Sequence, residues 1–428
     1  MRVLVVGAGV VGLSSAYRLA RAGCEVTVLD AHRAGAAASH GNAAKIAVSE
    51  SGPVPAPGVL LQGLRWLLKR DSPLALRPSL SPGFAAFLLR MARHCNEPDF
   101  RRGLEVLLTL AADANDLFDD YTADGMRFEM HSAGVILAFE TRDRFDEHCQ
   151  ALDIYEGFGH TAEVLHGDAV REREPVLSER IRHGLRFPGD RQIEPDSLTE
   201  GLLQRIAELG GTVLEDTAVE TIERAPTGEV TGVVTADGER LRGDALLLAA
   251  GVWARQLSGQ LGSPLPIYPG KGYSLDYRPA PVPLRHSLTL EDARVAVTPL
   301  DGMIRLAGTM ELGGSGDTIA GPRVAGIRRA ARESFVGWDD PPGEGTPWAG
   351  MRPLTPDGLP VIGRVDGCPN AYVASGHGML GLTLAPATAE VITAMVTGQA
   401  PGVSDAVVEA VSPARFARRK ASGRDTTR

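Results

Sequence analysis

The stretch that decides the fold is VLVVGAGVVGLSSAYRLARAGCEVTVLD, residues 3–30. Its first four residues form an uninterrupted apolar run, which is typical of a short strand buried on both faces. The helical pattern that follows the glycines carries its apolar face on Leu13, Ala16, Tyr17, Leu19 and Ala20. Gly23 suits the end of that helix, and a second apolar run at 26–29 predicts another strand, which ends in Asp30.

The turn between the first strand and the helix reads GAGVVG, a G-x-G-x-x-G pattern. In that pattern Gly7 permits the tight turn, Gly9 lets the backbone approach a pyrophosphate, and Gly12 lets helix and strand pack closely. Asp30 lies eighteen residues after Gly12, where an acid accepts hydrogen bonds from ribose hydroxyls. The whole unit therefore predicts a dinucleotide-binding βαβ fold.

The next segment distinguishes between cofactors. A nicotinamide domain would continue with regular strand and helix units, but residues 35–46 read GAAASHGNAAKI, a loop of small residues. Small side chains let a flat cofactor pass close to the backbone. An extended cofactor that runs beyond the first βαβ unit fits FAD better than NAD.

Composition excludes several classes of protein. The 428 residues, 43% of them hydrophobic, allow two to three globular domains. A net charge of −9 disfavours general nucleic-acid binding, and the absence of an apolar run of about 18 residues predicts no transmembrane helix. The four cysteines lack metal-ligand or C-x-x-C spacing, so we expect no metal site and a reducing, cytoplasmic location. Early glycines interrupt the N-terminal apolar run, so we expect no signal peptide.

The rest of the chain predicts an α/β protein with two interleaved domains. Strand patterns across 266–310 predict a second, α+β substrate domain built on an antiparallel sheet. The predicted division assigns 1–52, 195–262 and 346–410 to a Rossmann-like FAD-binding domain, 53–194 and 263–345 to the substrate domain, and 411–428 to a basic tail.

Local patterns in the first half predict one long helix at 104–121, a strand pair at 127–130 and 135–139, and helical structure across 141–166. The proline-rich segment 53–104 contains further amphipathic helical stretches. These stretches indicate subdomain packing, an apolar cover over an active site, or a docking surface for a membrane or partner. The basic tail predicts a solvated terminus, with an anionic membrane or acidic partner as the other interpretation.

Several separated stretches together resemble the superfamily of FAD-dependent amine oxidoreductases that contains D-amino-acid dehydrogenase, glycine oxidase and sarcosine oxidase. They are the G-x-G-x-x-G unit with Asp30, the loop around Asn42, LAAGVW at 248–253, RPLTPDG at 352–358 and GHGMLGLT at 376–383. The insertion APGVLLQGLRWLLK, residues 56–69, and PGKGYS at 269–274 look most like the bacterial D-amino-acid dehydrogenase branch. A D-hydroxyproline-type dehydrogenase would look much the same.

The resemblance implies a role for each matching position. Pyrophosphate, ribose, adenine and isoalloxazine contacts would come from Gly7, Gly9, Val10, Val11, Gly12, Asp30, Ala31, Ser39, Asn42, Ala43, Ala44, Val219, Ala250, Gly251, Trp253, Gly376, Gly378, Met379, Gly381 and Thr383. The glycine loop at 376–381, followed by a helix, would aim backbone N–H groups at the negative charge of reduced flavin. Relatives with covalent flavin carry a cysteine near Gly350 or a histidine at the position of Asn42, so we expect non-covalent FAD.

The chemistry implied is hydride transfer from the α-carbon of an amine to flavin N5, with the amino group neutral. Arg352 would hold the substrate carboxylate through two charge-assisted bonds, although a surface or ion-paired arginine is the other interpretation. His377 and Tyr273 would contact the substrate, or serve only loop bonding and core packing. Lys45 and Lys271 are weaker candidates, since a lysine near flavin N5 would raise oxygen reactivity or stabilise negative charge. Lys45 also departs from the usual residue of the branch, which puts the substrate in doubt.

Three functions follow as hypotheses. The first is oxidative deamination of a D-amino acid, or of a cyclic D-imino acid such as a D-proline analogue, with electrons passed to a quinone or other acceptor. The second is an oxygen-using oxidase of glycine, sarcosine or another secondary amine. The third is a flavin-bound redox sensor or subunit without turnover. Side-chain preference, electron acceptor, oligomeric state and any peripheral membrane contact stay open.

Overall fold

The computed structural model describes residues 1–59, 74–76, 81–313, 316, 318–338 and 345–417. The stretch that opens the chain folds as predicted into strand β1 (Arg2–Val6), helix α1 (Val10–Arg21) and strand β2 (Glu25–Leu29). β1 and β2 pair in parallel from Arg2 opposite Glu25 to Val6 opposite Leu29. The helical prediction at 60–68 and most of the basic tail lie outside the described residues.

A six-stranded sheet extends this unit in the order β10-β2-β1-β14-β21-β20. The added strands are β10 (Thr212–Leu214), β14 (Ala245–Leu248), β20 (Val361–Arg364) and β21 (Ala371–Ser375). All neighbours are parallel except the edge strand β20. Helices α8 (Pro195–Glu208) and α11 (Gly381–Thr397) pack against α1. The sheet therefore unites three distant parts of the chain.

A nine-stranded sheet forms the second layer, in the order β19-β15-β18-β17-β16-β6-β8-β7, with β4 beside β18. Its strands are β4 (Leu74–Leu76), β6 (Val135–Phe139), β7 (Glu163–His166), β8 (His183–Phe187), β15 (Tyr268–Tyr277), β16 (Ser287–Leu290), β17 (Val295–Leu300), β18 (Met303–Leu312) and β19 (Thr346–Leu354). Its pairs are antiparallel except β16 with β6 and β18 with β4. The predicted domain division stays a prediction. It assigns β19 to the FAD-binding domain, although β19 pairs with β15 in this sheet.

Two small sheets and the other helices complete the fold. The small sheets hold β3 (Lys45–Ile46), β9 (Arg191–Ile193) and β5 (Met130–His131), and β11 (Val219–Arg224), β12 (Val230–Thr235) and β13 (Arg240–Arg242). The helices are α2 (Pro82–His94), α3 (Glu97–Ala111), α4 (Ala114–Ala123), α5 (Arg142–Cys149), α6 (Leu152–Gly157), α7 (Asp168–Arg173), α9 (Ala254–Gln260), α10 (Gly321–Ser334) and α12 (Asp405–Val411).

Three local predictions were wrong. The long helix at 104–121 is two helices, α3 and α4, because the apolar spacing of Leu104, Leu108, Ala111 and Phe118 continues across the break and hides it. The strand predicted at 135–139 is confirmed as β6, but its predicted pairing with 127–130 is wrong, since β5 pairs with β9 while β6 pairs with β8 and β16. Residues 163–166 are a strand rather than helix because they pair with β8.

Each of the two large sheets packs against helices through an apolar core. One cluster fills the space between the six-stranded sheet and α1, α8 and α11, and another lies between the nine-stranded sheet and α10. Phe84, Phe87 and Met91 of α2 pack against Tyr268 and Leu354, which favours subdomain packing for this part of the proline-rich segment. Among the described helices, none is long and apolar enough to cross a membrane.

Candidate active site

A deep cleft of about 1100 Å³ lies between the two large sheets. Its wall on one side is the carboxyl edge of the six-stranded sheet, where Val6, Leu29 and Ala249 follow one another across adjacent strands. Its floor is the nine-stranded sheet, from β19 to β8. The carboxyl edge of a parallel sheet is where α/β proteins bind their ligands, so the fold itself directs attention to this cleft.

The glycine turn at the head of the cleft admits no side chain. Gly7 has φ +112°, and a methyl group there would lie 2.5 Å from the Ala249 carbonyl oxygen. A methyl on Gly12 would lie 1.9 Å from the Gly7 carbonyl oxygen. Gly12 does not line the cleft, and it serves the turn by close packing. The start of α1 is thereby held against the open space, where its N–H groups favour an anion.

Two polar side chains fix this end of the cleft. The Asp30 carboxylate accepts a hydrogen bond from Ala8 N at 2.7 Å and another from His32 N at 2.9 Å. Ser39 Oγ accepts from Val10 N at 2.9 Å. Asp30, Ser39 and the first residue of β11, Val219, all line the cleft. Asp30 therefore lies at the position where a dinucleotide-binding βαβ unit has its acid, and two backbone N–H groups fix the orientation of its carboxylate.

The loop that follows is anchored from below by the nine-stranded sheet. Arg305 is 2% exposed and donates to His40 O at 2.9 Å, while its other nitrogens form a bidentate pair with Asp276 at 2.7 and 2.8 Å. Thr298 Oγ1 donates to Ala43 O at 2.7 Å. These bonds attach the carbonyl groups of His40 and Ala43 to the nine-stranded sheet and so fix the position of the loop. Neither Arg305 nor Thr298 was expected from the sequence.

Within the loop, Asn42 is committed to the backbone. Its side chain donates to Ser39 O at 2.8 Å and accepts from Ala44 N at 2.7 Å. Asn42 and Ala43 line the cleft, whereas Ala44, with φ +56°, is buried and does not. Asn42 therefore shapes the loop from within, which was predicted only as part of a flavin-lining segment.

The C-terminal glycine loop faces the same cleft. Gly378 N donates to Pro353 O at 2.9 Å, which ties the loop to β19. Gly378, Met379, Gly381 and Thr383 line the cleft at the start of α11, but Gly376 does not. The first turn of a 17-residue helix thus points at the open space, and its N–H groups favour negative charge there.

His377 lies in this loop as a neutral, buried imidazole. Its Nε2 contacts Thr388 Oγ1 at 3.0 Å, and its side chain is 5% exposed. Burial lowers its pKa to about 3. His377 reaches the cleft lining, so it can take part in hydrogen bonding there, but it supplies no positive charge at neutral pH.

Arg352 is the clearest binding group in the cleft. Its guanidinium lies directly over Gly272, where a methyl group would come within 2.1 Å of Nη1, and Nη1 donates to Thr309 O at 2.8 Å. No carboxylate in the described part of the chain pairs with it. The group lies deep in the interior but keeps some surface on the cleft, and burial lowers its pKa to about 10. A half-buried, charged guanidinium that pairs with no acidic group among the described residues calls for an anionic ligand.

The other two predicted substrate contacts differ from each other. Tyr273 lines the cleft from β15, one residue from Gly272, and is 1% exposed, with its hydroxyl 3.5 Å from Glu311 Oε2. Lys271 does not line the cleft: its ammonium donates to Thr318 O at 2.5 Å and lies 5.6 Å from the centre of the Tyr273 ring. The pairing of β15 with β18 shifts register between Lys271 and Tyr273, an irregularity of the kind that changes where neighbouring side chains point.

Lys45 lines the far end of the cleft in a polar cluster that the sequence did not predict. Its ammonium donates to Thr289 Oγ1 at 2.5 Å, Leu288 O at 2.9 Å and Glu50 Oε1 at 3.2 Å. An ammonium has three donors, so these protein acceptors use all of them. Glu291 lies beside the cluster and pairs with Arg294 at 2.7 Å and with His148 at 3.3 Å.

The cleft joins most of the predicted site residues across the chain. Those that line it are Gly7, Gly9, Val10, Val11, Asp30, Ala31, Ser39, Asn42, Ala43, Lys45, Val219, Ala250, Gly251, Trp253, Tyr273, Arg352, His377, Gly378, Met379, Gly381 and Thr383. The functional roles remain predictions. A tight glycine turn at one end, two helix N-termini along the wall and, near the floor, a guanidinium with no acidic partner among the described residues fit an FAD and a carboxylate substrate held side by side.

Comparison with known proteins agrees with this geometry. A family model described as FAD dependent oxidoreductase matches residues 2–395. A D-amino acid dehydrogenase from Methylobacterium nodulans is 37% identical over 427 residues, which cover 97% of this chain and 99% of that protein. Another D-amino acid dehydrogenase, from Xanthobacter autotrophicus, is 35% identical with the same coverage of both chains.

Two solved structures share the fold. The glycine oxidase of Geobacillus kaustophilus aligns with a TM-score of 0.76 and 22% identity over 97% of this chain and all of that one. The L-proline dehydrogenase of P. horikoshii aligns with a TM-score of 0.72 and 19% identity over 97% of each chain. On the extent of the family match and of the similar relatives, the chain belongs to the family of FAD-dependent oxidoreductases.

Proposed function

We propose that this protein is an FAD-dependent D-amino-acid dehydrogenase, which oxidises the amine of a D-amino acid to the imine that yields the 2-oxo acid. Relatives that are 35–37% identical to this chain over nearly their whole length are named D-amino acid dehydrogenase. The observation that carries the proposal is Arg352, a buried guanidinium without a carboxylate partner in the described chain, which opens into the cofactor cleft.

The chain supplies binding and orientation. Arg352 binds the substrate carboxylate bidentately, and its fork is held in place by Gly272 and by Thr309 O. Fixing the carboxylate limits the positions that the α-carbon can occupy, which is the main contribution to rate that positioning makes. An FAD bound in the cleft would supply the acceptor for the hydride of that carbon. Tyr273, on the cleft floor next to Gly272, would donate its hydroxyl to the same carboxylate by turning from Glu311 Oε2, 3.5 Å away.

The N-terminus of α11 would stabilise the negative charge of a reduced flavin. The backbone N–H groups of its first turn lie at the cleft, directly after Gly378 and Met379. His377 is neutral because of its burial, so the stabilising charge comes from the helix rather than from an imidazolium. No strong base is required at the α-carbon, since the substrate amine reacts in its neutral form.

The FAD is held without a covalent bond in this proposal. Among the described residues that line the cleft there is no cysteine. The two positions that the resemblance associates with covalent attachment hold Asn42 and Gly350 in this chain. Precipitating the protein with acid is expected to leave all the flavin in the supernatant. Yellow colour retained in the pellet would contradict this part of the proposal.

The test of the function is anaerobic mixing of the holoenzyme with matched D- and L-amino acids, read at the yellow absorbance band. We expect D-enantiomers to bleach the flavin and L-enantiomers to leave it oxidised. Slow reoxidation by air after bleaching supports an acceptor other than oxygen, whereas rapid reoxidation would indicate an oxidase. Bleaching by glycine or sarcosine alone would contradict the proposal.

A further inference from the structure

The polar cluster at the far end of the cleft has one acceptor that no described residue uses. Glu50 Oε1 accepts from Lys45 and from the hydroxyl of Thr289, but Oε2 has no hydrogen-bond partner among the described residues. The Glu50 side chain lines the cleft and keeps 27% of its surface accessible, against 3% for Lys45. A carboxylate held rigidly by one oxygen therefore presents its other oxygen to the cleft.

The position of Glu50 is itself fixed by a buried acid. Asp190 is 2% exposed and accepts from Val48 N at 3.0 Å, from Ser49 N at 3.3 Å and from the Ser49 hydroxyl. These bonds hold the short helical turn Val48–Glu50 in one conformation. An oriented acceptor costs a ligand less reorganisation than a mobile one, so the geometry is that of a recognition group rather than of a solvated surface acid.

The cluster lies within reach of a substrate held by Arg352. The guanidinium contacts Thr309 O on β18, and in the register of the sheet Ala307 of β18 lies opposite Ala296 of β17, which lies opposite Thr289 of β16. Two strand spacings separate Ala307 from Thr289, about 10 Å at about 4.8 Å each. The floor between them carries only the methyl groups of Ala296 and Ala307.

The side wall along this path is apolar. Leu137 and the β8 residues Leu185 and Phe187 line the cleft next to Tyr155 of α6. Apolar walls suit a hydrocarbon stem, and a carboxylate oxygen at the end suits a terminal N–H or O–H donor. An anionic terminus would instead face the Glu50 carboxylate, and the two lining cations of this cluster, Lys45 and Arg294, already pair with Glu50 and Glu291.

We infer that the Glu50 carboxylate selects the substrate side chain, and that the preferred substrates are D-amino acids with a hydrocarbon stem of several carbons that ends in a hydrogen-bond donor. The inference rests on the proposed function and names its substrate class. Cationic donors, as in D-lysine and D-ornithine, and neutral donors, as in D-glutamine, share this chemistry.

The test compares kcat/KM of the holoenzyme, with an artificial electron acceptor, for D-lysine, D-ornithine, D-glutamine, D-norleucine and D-glutamate. We expect the three donor-bearing substrates to exceed D-norleucine by about 10-fold or more, since hydrogen bonds to charged groups are worth about that much. D-glutamate should be the poorest. If kcat/KM is higher for D-lysine and D-ornithine than for D-glutamine, the preference is due to charge. If the three values are equal, it is due to hydrogen bonding.

The variant Glu50→Gln is expected to reduce the ratio of D-lysine to D-norleucine by about 10-fold, with D-norleucine turnover much less affected. Glu147→Gln is the matched control: it removes one negative charge at the cleft rim, where Glu147 is 63% exposed and paired with Arg144, and the ratio should not change. Flavin content and melting temperature of each variant show whether the cleft is intact.

The substrate series on the unmodified enzyme is decisive even where Glu50→Gln does not fold. D-norleucine or D-glutamate turned over as well as D-lysine and D-glutamine would overturn the inference and leave the proposed function standing. Failure of every D-amino acid to reduce the flavin would overturn both.

Discussion

Two cations line the same cleft, and the protein treats them in opposite ways. The Lys45 ammonium donates to three protein acceptors, one of them the Glu50 carboxylate. The Arg352 guanidinium has only Thr309 O among the described residues. The donors and the charge of Lys45 are therefore satisfied by the protein, whereas the charge of Arg352 is satisfied only when a ligand binds.

The difference teaches how to separate binding groups from structural ones. A buried charge that the protein already pairs contributes to the fold, and breaking the pair is costly. A buried charge left unpaired lowers the stability of the free protein and is retained for what it binds. Two cations that looked alike in the sequence therefore predict opposite results when each is removed.

Replacing Arg352 with Met should have the largest effect. We expect kcat/KM for D-amino acids to fall by about 10²- to 10³-fold, since truncating one partner of a buried charge pair costs about 3–4 kcal/mol. The substrate-free variant should unfold no more easily than the unmodified protein, because an uncompensated buried charge is removed. Steady-state kinetics and urea denaturation measure the two effects. Arg352→Lys is the control, which keeps the charge but loses the planar fork.

Replacing Lys45 with Met should show the reverse. The variant leaves Glu50 without its ammonium partner, and we expect the free energy of unfolding to fall by about 2–4 kcal/mol. The matched change Lys271→Met removes a buried ammonium that donates to Thr318 O and lies outside the cleft. If Lys45→Met proved as stable as the parent while losing most of its activity, Lys45 would be a ligand group and the contrast with Arg352 would disappear.

Replacing Asp190 with Asn should produce a smaller, pH-dependent effect on the turn that carries Glu50. Burial raises the pKa of Asp190 to about 7, while Ser49 lowers it. A carboxyl whose pKa is raised on folding stabilises the protein below its unfolded pKa, and this contribution is lost as the pH rises toward 7. Relative to Asp190→Asn, the parent should lose at most about 1.4 kcal/mol per pH unit between about pH 4 and 7. Parallel stability curves for the two proteins would contradict this.

Much of the cofactor side of the cleft could be predicted from the sequence, because its signals are local. The glycines of the first turn and Asp30 follow from spacing within one strand-turn-helix unit. The loop at 376–383 was assigned a role through the family resemblance. Arg352 was reached through the resemblance of its motif and not from its own spacing.

The polar end of the cleft could not be predicted, since no local pattern encodes it. Glu50 and Thr289 are 239 residues apart in the chain and meet only because β3 and β16 are brought together by tertiary structure. Which strand residues line the cleft depends on sheet register, as the irregular pairing between Lys271, which does not line it, and Tyr273, which does, shows. The wrong strand pair at 127–139 has the same origin, because the partner of β5 lies sixty residues away.

The most direct test of the central claim is whether Arg352 recognises the carboxylate and nothing else. Anaerobic flavin reduction would be followed for a D-amino acid and for the amine that lacks only its carboxylate, in the parent enzyme and in Arg352→Met. The account predicts that the parent prefers the amino acid by about 10²-fold or more and that the variant has little preference. A variant that keeps the full preference would contradict the account.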